Sequence, residues 1–102
     1  MNGAELEALL IGLLRLWQVR AEIRGTRSDE GVAALLTFDA RPSVTVSWQQ
    51  APFGIVWRVE PEGRRVRTYP SVNGMIRDLR ERLVPERGSA RVLFASRAGG
   101  AP

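Results

Sequence analysis

The chain has 102 residues, a length that suits one domain with a single core. All of its 15 basic residues are arginine, and it has no lysine, histidine or cysteine. The sequence therefore lacks the imidazole, thiol and amine on which most proton transfer and nucleophilic catalysis depend. The net charge of +4 permits an anionic partner but is smaller than that of a dedicated nucleic-acid-binding domain.

This composition favours a protein that acts by contact. GC-rich codons of a bacterial genome also produce arginine in place of lysine, so the bias alone does not indicate a function. Hydrophobic residues make up 44% and charged residues 25%, as in an ordinary globular domain. Carboxylates are the only strong metal ligands, and they show no calcium-loop spacing. We therefore expect no cofactor and no metal.

The apolar segment from Leu9 to Leu14 resembles a targeting signal only superficially. It follows Glu5 and Glu7, whereas a secretory signal begins with basic residues, and it is too short to span a bilayer. We expect a cytoplasmic protein without membrane attachment.

The first predicted element is a helix from about residue 3 to residue 18. Asn2 and Glu5 have the spacing of a capping box. Ile11 lies outside the apolar stripe and Leu16 widens its edge, so we expect these two residues to take part in self-association. The stripe itself consists of Leu6, Leu9, Leu10, Leu13, Leu14 and Trp17.

Alternating and apolar segments then predict strands at 18–24, 32–38, 43–49 and 55–60. Residues 25–31 have the composition of a loop, and 39–42 and 50–53 that of turns. Trp17 lies on the apolar stripe of the helix, and Trp48 and Trp57 lie on the apolar faces of their strands, so all three are expected in the core.

Residues 60–64 predict a hairpin. If Glu62 and Gly63 form a two-residue loop, Val59 lies opposite Val66 and Trp57 opposite Thr68. A three-residue loop would instead place Trp57 opposite Arg67. We prefer the two-residue loop because the other register spoils the apolar face.

A second helix is expected to begin at Ser71 as N-cap and to end at Pro85. Its outer side is expected to carry the i,i+4 ion pairs Arg77–Glu81 and Asp78–Arg82. Its core face is expected to consist of Val72, Met75, Ile76, Leu79 and Leu83. Residues 86–90 read as a loop, 91–95 as a last strand, and 97–102 as a disordered tail. The sequence thus predicts one α+β domain over residues 1–96, with element order α-β-β-β-β-β-α-β. Two layers are expected: an antiparallel meander of five to six strands, and two helices on one of its faces.

The predicted hairpin register brings Arg58, Arg65, Arg67 and Tyr69 onto one outer face, our candidate binding site. Guanidinium groups beside a tyrosine suit a phosphate backbone or an acidic peptide. The alternative is a solvated face with an ordinary Glu60–Arg65 pair. Nucleic-acid binding usually adds exposed aromatic side chains, and only Tyr69 qualifies.

No catalytic residue is assigned. Asp29 and Glu30 are adjacent carboxylates that follow Ser28 in a loop, and no histidine or lysine is present to activate the serine. The function stays unknown beyond a non-catalytic, adaptor- or chaperone-like protein-interaction module with an unidentified protein partner. We expect a homodimer, formed helix against helix or edge against edge; the alternative is a monomer whose extra leucines are covered by the C-terminal segment. Nucleic-acid or polyanion binding is the second possibility and a small enzyme the third.

Overall fold

The computed structural model describes residues 1–28 and 31–84, with only the backbone for Arg27 and Ser28. It confirms the α+β fold: two helices and a five-stranded antiparallel sheet in the order α-β-β-β-β-β-α. The predicted strand at 91–95, the tail at 97–102 and the carboxylates Asp29 and Glu30 lie outside the described residues. The elements are α1 (Gly3–Trp17), β1 (Glu22–Ser28), β2 (Gly31–Thr37), β3 (Val44–Ala51), β4 (Gly54–Pro61), β5 (Arg67–Tyr69) and α2 (Val72–Leu83).

The capping box fixes the start of α1. The Asn2 side chain accepts a hydrogen bond from the Glu5 N–H, and the Glu5 carboxylate accepts one from the Asn2 N–H, each at 2.8 Å. At the other end Gln18 adopts a left-handed conformation with φ of 58°. This conformation ends the helix and turns the chain back toward the sheet.

The first strand begins and ends later than predicted, at Glu22 and Ser28 instead of 18–24. Its residues Gly25–Ser28 have loop composition, but each of them pairs with β2, from Ala34 to Gly31. Backbone pairing with a neighbouring strand overrides a weak local preference, so the loop prediction was wrong for Gly25–Ser28 and for Gly31, which begins β2.

The strands follow one another in the order β1-β2-β3-β4-β5, each antiparallel to the next. Opposite residues share a face, and one row of apolar pairs runs through Ala34, Val46 and Val59. Trp48 lies opposite Trp57 at the other end of β3. This alternation places all the core residues of the sheet on one face.

Both helices cover that face. α1 packs over β1 and β2, and α2 packs over β4 and β5. Of the predicted core, Leu10, Trp57 and Leu79 are buried, while Leu13, Trp48 and Ile76 are partly exposed and pack against it. The buried core consists of Leu6, Leu10, Leu14, Trp17, Ala34, Leu36, Val44, Val46, Trp57, Val59, Met75, Leu79 and Leu83.

Within the described residues, no helix has the length and apolar character needed to cross a membrane.

Leu79 and Leu16 allow a matched test of the core. Leu79 is fully buried and Leu16 is 72% exposed. We expect Leu79→Ala to lower the free energy of unfolding by about 2–5 kcal/mol, through lost burial and the cavity left behind. Leu16→Ala should change it by less than about 0.5 kcal/mol. Chemical denaturation measures both, and equal losses would show that the core face of α2 is assigned wrongly.

Candidate functional site

The β4–β5 hairpin decides where the candidate binding residues point. Its turn is as predicted, because the Arg64 N–H donates to the Pro61 carbonyl at 3.1 Å around Glu62 and Gly63. The ladder beyond it is displaced: Val59 pairs with Arg67. Val59 precedes Pro61 by two residues, whereas its partner Arg67 follows Arg64 by three residues. The extra residue on the returning segment has the character of a β-bulge.

The predicted register was therefore wrong by one residue. Trp57 lies opposite Tyr69, and Arg58 lies opposite Thr68. A one-residue displacement moves every side chain of β5 to the other face of the sheet. The alternatives considered from the sequence are a two-residue and a three-residue loop, each followed by a regular ladder. Neither alternative includes a bulge, so neither predicts this pairing.

The four candidate residues do not form one surface. Arg58 lies on the face without helices, whereas Arg67 and Tyr69 lie on the helix-bearing face, in line with Val59 and Trp57. Arg65 is exposed and precedes the paired part of β5. Whether any of them binds a ligand remains a prediction, but they do not act as a single basic patch.

Tyr69 belongs instead to a polar chain between β5 and α2. Its hydroxyl donates a short hydrogen bond to Oδ2 of Asp78. Oδ1 of the same carboxylate lies 2.7 Å from Nε of Arg82, one helical turn further on. This second contact is an ion pair whose N–H is not aligned for a hydrogen bond. The i,i+4 pair Asp78–Arg82 was expected on the outer side of α2, yet it is partly buried against Tyr69.

Gly74 makes room for this arrangement. A Cβ atom at Gly74 would stand 3.0 Å from Cδ1 of Tyr69, so the tyrosine ring lies directly against the first turn of α2. A glycine inside a helix costs stability through backbone entropy, and here it permits the close approach. Gly74, inside the predicted second helix, is the signal in the sequence that could have indicated this close approach, although our predictions from the sequence did not use it.

The cleft around Tyr69 has a volume of about 410 Å³. Burial, and the hydrogen bond and negative charge of Asp78, raise the pKa of Tyr69. The phenol is therefore neutral near pH 7 and acts as a hydrogen-bond donor, not as a base. Three arginines and two carboxylates line the cleft, so its net charge is only slightly positive. The lining residues are Arg67, Tyr69, Gly74, Arg77, Asp78, Glu81 and Arg82.

The face of the sheet away from the helices is the second candidate surface, and we call it the open face. Its centre consists of small, hydroxyl-bearing or apolar side chains that are partly or fully buried by their neighbours, and Ser47 is only 9% exposed. Within the described part of the chain, no element covers it. The central residues are Ala33, Leu35, Thr45, Ser47, Gln49 and Val56.

Equal numbers of positively and negatively charged side chains surround this centre. Arg58 lies beside Glu60, with 3.9 Å between the guanidinium and carboxylate. Glu22 and Arg24 stand on the open face of β1. Two arginines and two glutamates cancel, so the open face is close to neutral. Glu60 has its ion pair within β4, with Arg58, and not with Arg65 across the hairpin as the alternative reading expected.

The two residues expected in self-association are both exposed, Ile11 at 38% and Leu16 at 72%. Five residues along a helix correspond to a rotation of about 140°, so they lie on different flanks of α1. Ile11 belongs to a groove of about 420 Å³ that also includes Val19 and Ile23, beside β1. The two residues therefore do not belong to one contact surface.

Residues 1–28 and 31–84 contain few groups that could bind a metal ion or transfer a proton. They contain no cluster of three or more carboxylates that could hold a metal ion. The acidic pair Asp29 and Glu30 lies outside these residues. Tyr69 and Asp78 both line the cleft between β5 and α2, where they are hydrogen-bonded to each other.

Comparisons of the chain with protein-family models, with curated protein sequences and with solved structures found no match.

Tyr69 is the only tyrosine in the chain, so its titration is directly observable. We expect the ultraviolet absorbance of tyrosinate to appear in the native protein with a midpoint above 10.0, the ordinary value. Because folding raises the pKa of Tyr69, the neutral phenol and its contact with Asp78 stabilise the folded protein. This contribution is complete below pH 10 and is lost as pH rises through the native midpoint. Asp78→Asn removes the negative charge and should lower the midpoint. A midpoint at or below 10 in the native protein would contradict the Tyr69–Asp78 contact.

Proposed function

We propose that this chain is a non-catalytic protein-interaction module that binds a protein partner on the open face of its sheet. The observation that supports this most is the centre of that face. It is uncharged and partly apolar, and no described element covers it. A surface with apolar and small side chains at its centre and charged side chains around it is typical of protein-interaction sites.

The charges of the open face favour a protein over a polyanion. Arg24 and Arg58 are balanced by Glu22 and Glu60, so a phosphate backbone would meet as much repulsion as attraction. A protein partner can place a carboxylate opposite Arg58 and a small apolar side chain over Ser47. Side chains on paired strands are held rigidly, so such a partner loses little binding free energy to ordering this surface.

Polyanion binding remains the alternative, with the cleft beside Tyr69 as its place. Arg67 and Arg77 are exposed at this cleft, while Arg82 is paired with Asp78. Sedimentation of the pure protein with generic RNA and DNA, at low and moderate salt, tests this alternative. A steep loss of binding with salt would favour it over the open-face proposal.

A photo-crosslinking residue tests the open face directly. We expect such a residue at Gln49, on the open face, to form an adduct of one defined mass in cells of the source organism. The same residue at Arg80, exposed on the outer side of α2, serves as the control and should form none. Excess unlabelled protein should compete the adduct away, and Val56→Arg protein should compete less well because the new charge enters the centre of the face.

Equal adducts from Gln49 and Arg80, or competition unaffected by Val56→Arg, would contradict binding at the open face. The non-catalytic part of the proposal has its own test. A broad activity screen should show no turnover, and turnover that Asp29→Asn or Glu30→Gln abolishes would overturn it.

A further inference from the structure

β1 is the long unpaired edge of the sheet among the described residues. It has seven residues, against three in β5 at the other edge. The outer side of an edge strand presents N–H and C=O groups that favour pairing with another strand. β1 contains no proline to block such pairing, and its charges are one glutamate and two arginines.

One row of α1 lies above this edge. Glu7 approaches Gly25 so closely that a Cβ added there would stand 2.7 Å from the Glu7 carboxylate oxygen. Ile11 and Arg15, one and two turns further on, line the groove beside Ile23. The row Glu7–Ile11–Arg15 is therefore acidic at one end, apolar in the middle and basic at the other end.

We propose that two copies of this chain pair through β1, antiparallel, to form one ten-stranded sheet. The two-fold axis is perpendicular to the sheet and passes midway between Ile23 and Ile23 of the partner subunit, and we call this the axis at Ile23. The two α1 helices then lie side by side and antiparallel on the same side of the sheet, with Ile11 at their centre. The interface uses α1 and β1, including Glu22 and Arg24 at the margin of the open face, and leaves the centre of that face free, so the inference goes beyond the proposed function.

The charges of β1 select this register. In an antiparallel pair, residues directly opposite each other point to the same face of the sheet. If the helices of both subunits are to lie on one side of the sheet, the residue nearest the two-fold axis must therefore stand opposite the same residue of the partner. The axis at Ile23 brings Glu22 opposite Arg24 of the partner subunit, twice. An axis at Glu22 or Arg24 would place like charges opposite each other, which is unfavourable. An axis at Gly25 would form neither ion pair.

The helix row independently selects the same axis. Four residues of a helix rise about 6 Å, and two residues of a strand advance about 6.6 Å. Since Glu7 lies above Gly25, Ile11 lies above Ile23, as the shared groove confirms. The axis at Ile23 therefore brings Ile11 against the partner's Ile11. It also brings Glu7 toward the partner's Arg15, so unlike charges meet in both layers.

The distance between the two α1 helices in this dimer also agrees with the usual distance between packed helices. α1 contacts β1 and β2 about equally, so its axis runs about midway above them. Strands lie about 4.8 Å apart, which puts each α1 axis about 4.8 Å from the two-fold. The two helices are then about 9.6 Å apart, within the 8–10 Å of packed helices. Strand pairing and helix packing are thus satisfied by one arrangement.

Ile11 and Leu16 supply a matched pair of variants for the test. Sedimentation velocity over low to high micromolar concentration should show a dimer for the wild type and for Leu16→Glu. Ile11→Glu should give a monomer whose circular dichroism and melting curve show a folded protein. Leu16 is the more exposed of the two, so non-specific association through exposed apolar side chains would respond more strongly to Leu16→Glu. That outcome, or a wild type that is monomeric at high micromolar concentration, would overturn the proposal.

A charge exchange tests the register, even if Ile11→Glu proves too unstable to study. Glu22→Arg and Arg24→Glu both change exposed residues, and each alone sets like charges opposite each other at two places. Each variant should dimerise about tenfold more weakly than the wild type. An equimolar mixture should recover the affinity, because unlike charges then meet in the mixed dimer. A mixture no tighter than either variant would overturn the axis at Ile23. None of these measurements depends on whether the open face binds a partner.

Discussion

The burial of one sheet face by two helices is the constraint on which the rest of this structure depends. α1 covers β1 and β2, α2 covers β4 and β5, and the core side chains of all these elements meet between the two layers. Because side chains alternate along a strand, the same residues that bury one face determine the composition of the other. The open face follows directly from the core, since every residue between two buried ones must point away from the helices.

This division also separates the surfaces of the molecule by chemistry. The open face carries balanced charges around an uncharged centre, whereas the cleft beside Tyr69 joins three arginines to two carboxylates. The flank of α1 over β1 has an acidic, an apolar and a basic residue in sequence. We propose a different partner for each surface: another protein for the open face, a polyanion as the alternative at the cleft, and a second copy of the chain for the flank. The proposed function rests on the open face because its centre is uncharged and no described element covers it.

Every basic residue on these three surfaces is arginine, because the chain contains no lysine or histidine. A guanidinium keeps its charge at any relevant pH, so its ion pairs do not depend on its own titration. Arg58 with Glu60 and Arg82 with Asp78 are examples on opposite faces of the sheet. Such pairs organise a surface without creating a reactive group.

The sequence by itself determined the order of the elements, the capping box at Asn2 and the N-cap at Ser71. It also determined the apolar faces that hold Leu10, Trp57 and Leu79, because these features depend on residues a few positions apart. Only the tertiary structure decided the extent of β1 and the register of β5. Both depend on which backbone lies alongside: β2 draws Gly25–Ser28 into the sheet, and one extra residue after Arg64 rotates Arg67 and Tyr69 onto the helix-bearing face. The candidate basic patch failed for this reason. Its residues were identified by their spacing along the chain, and a single bulge, which spacing does not reveal, moves a whole strand's side chains to the other face.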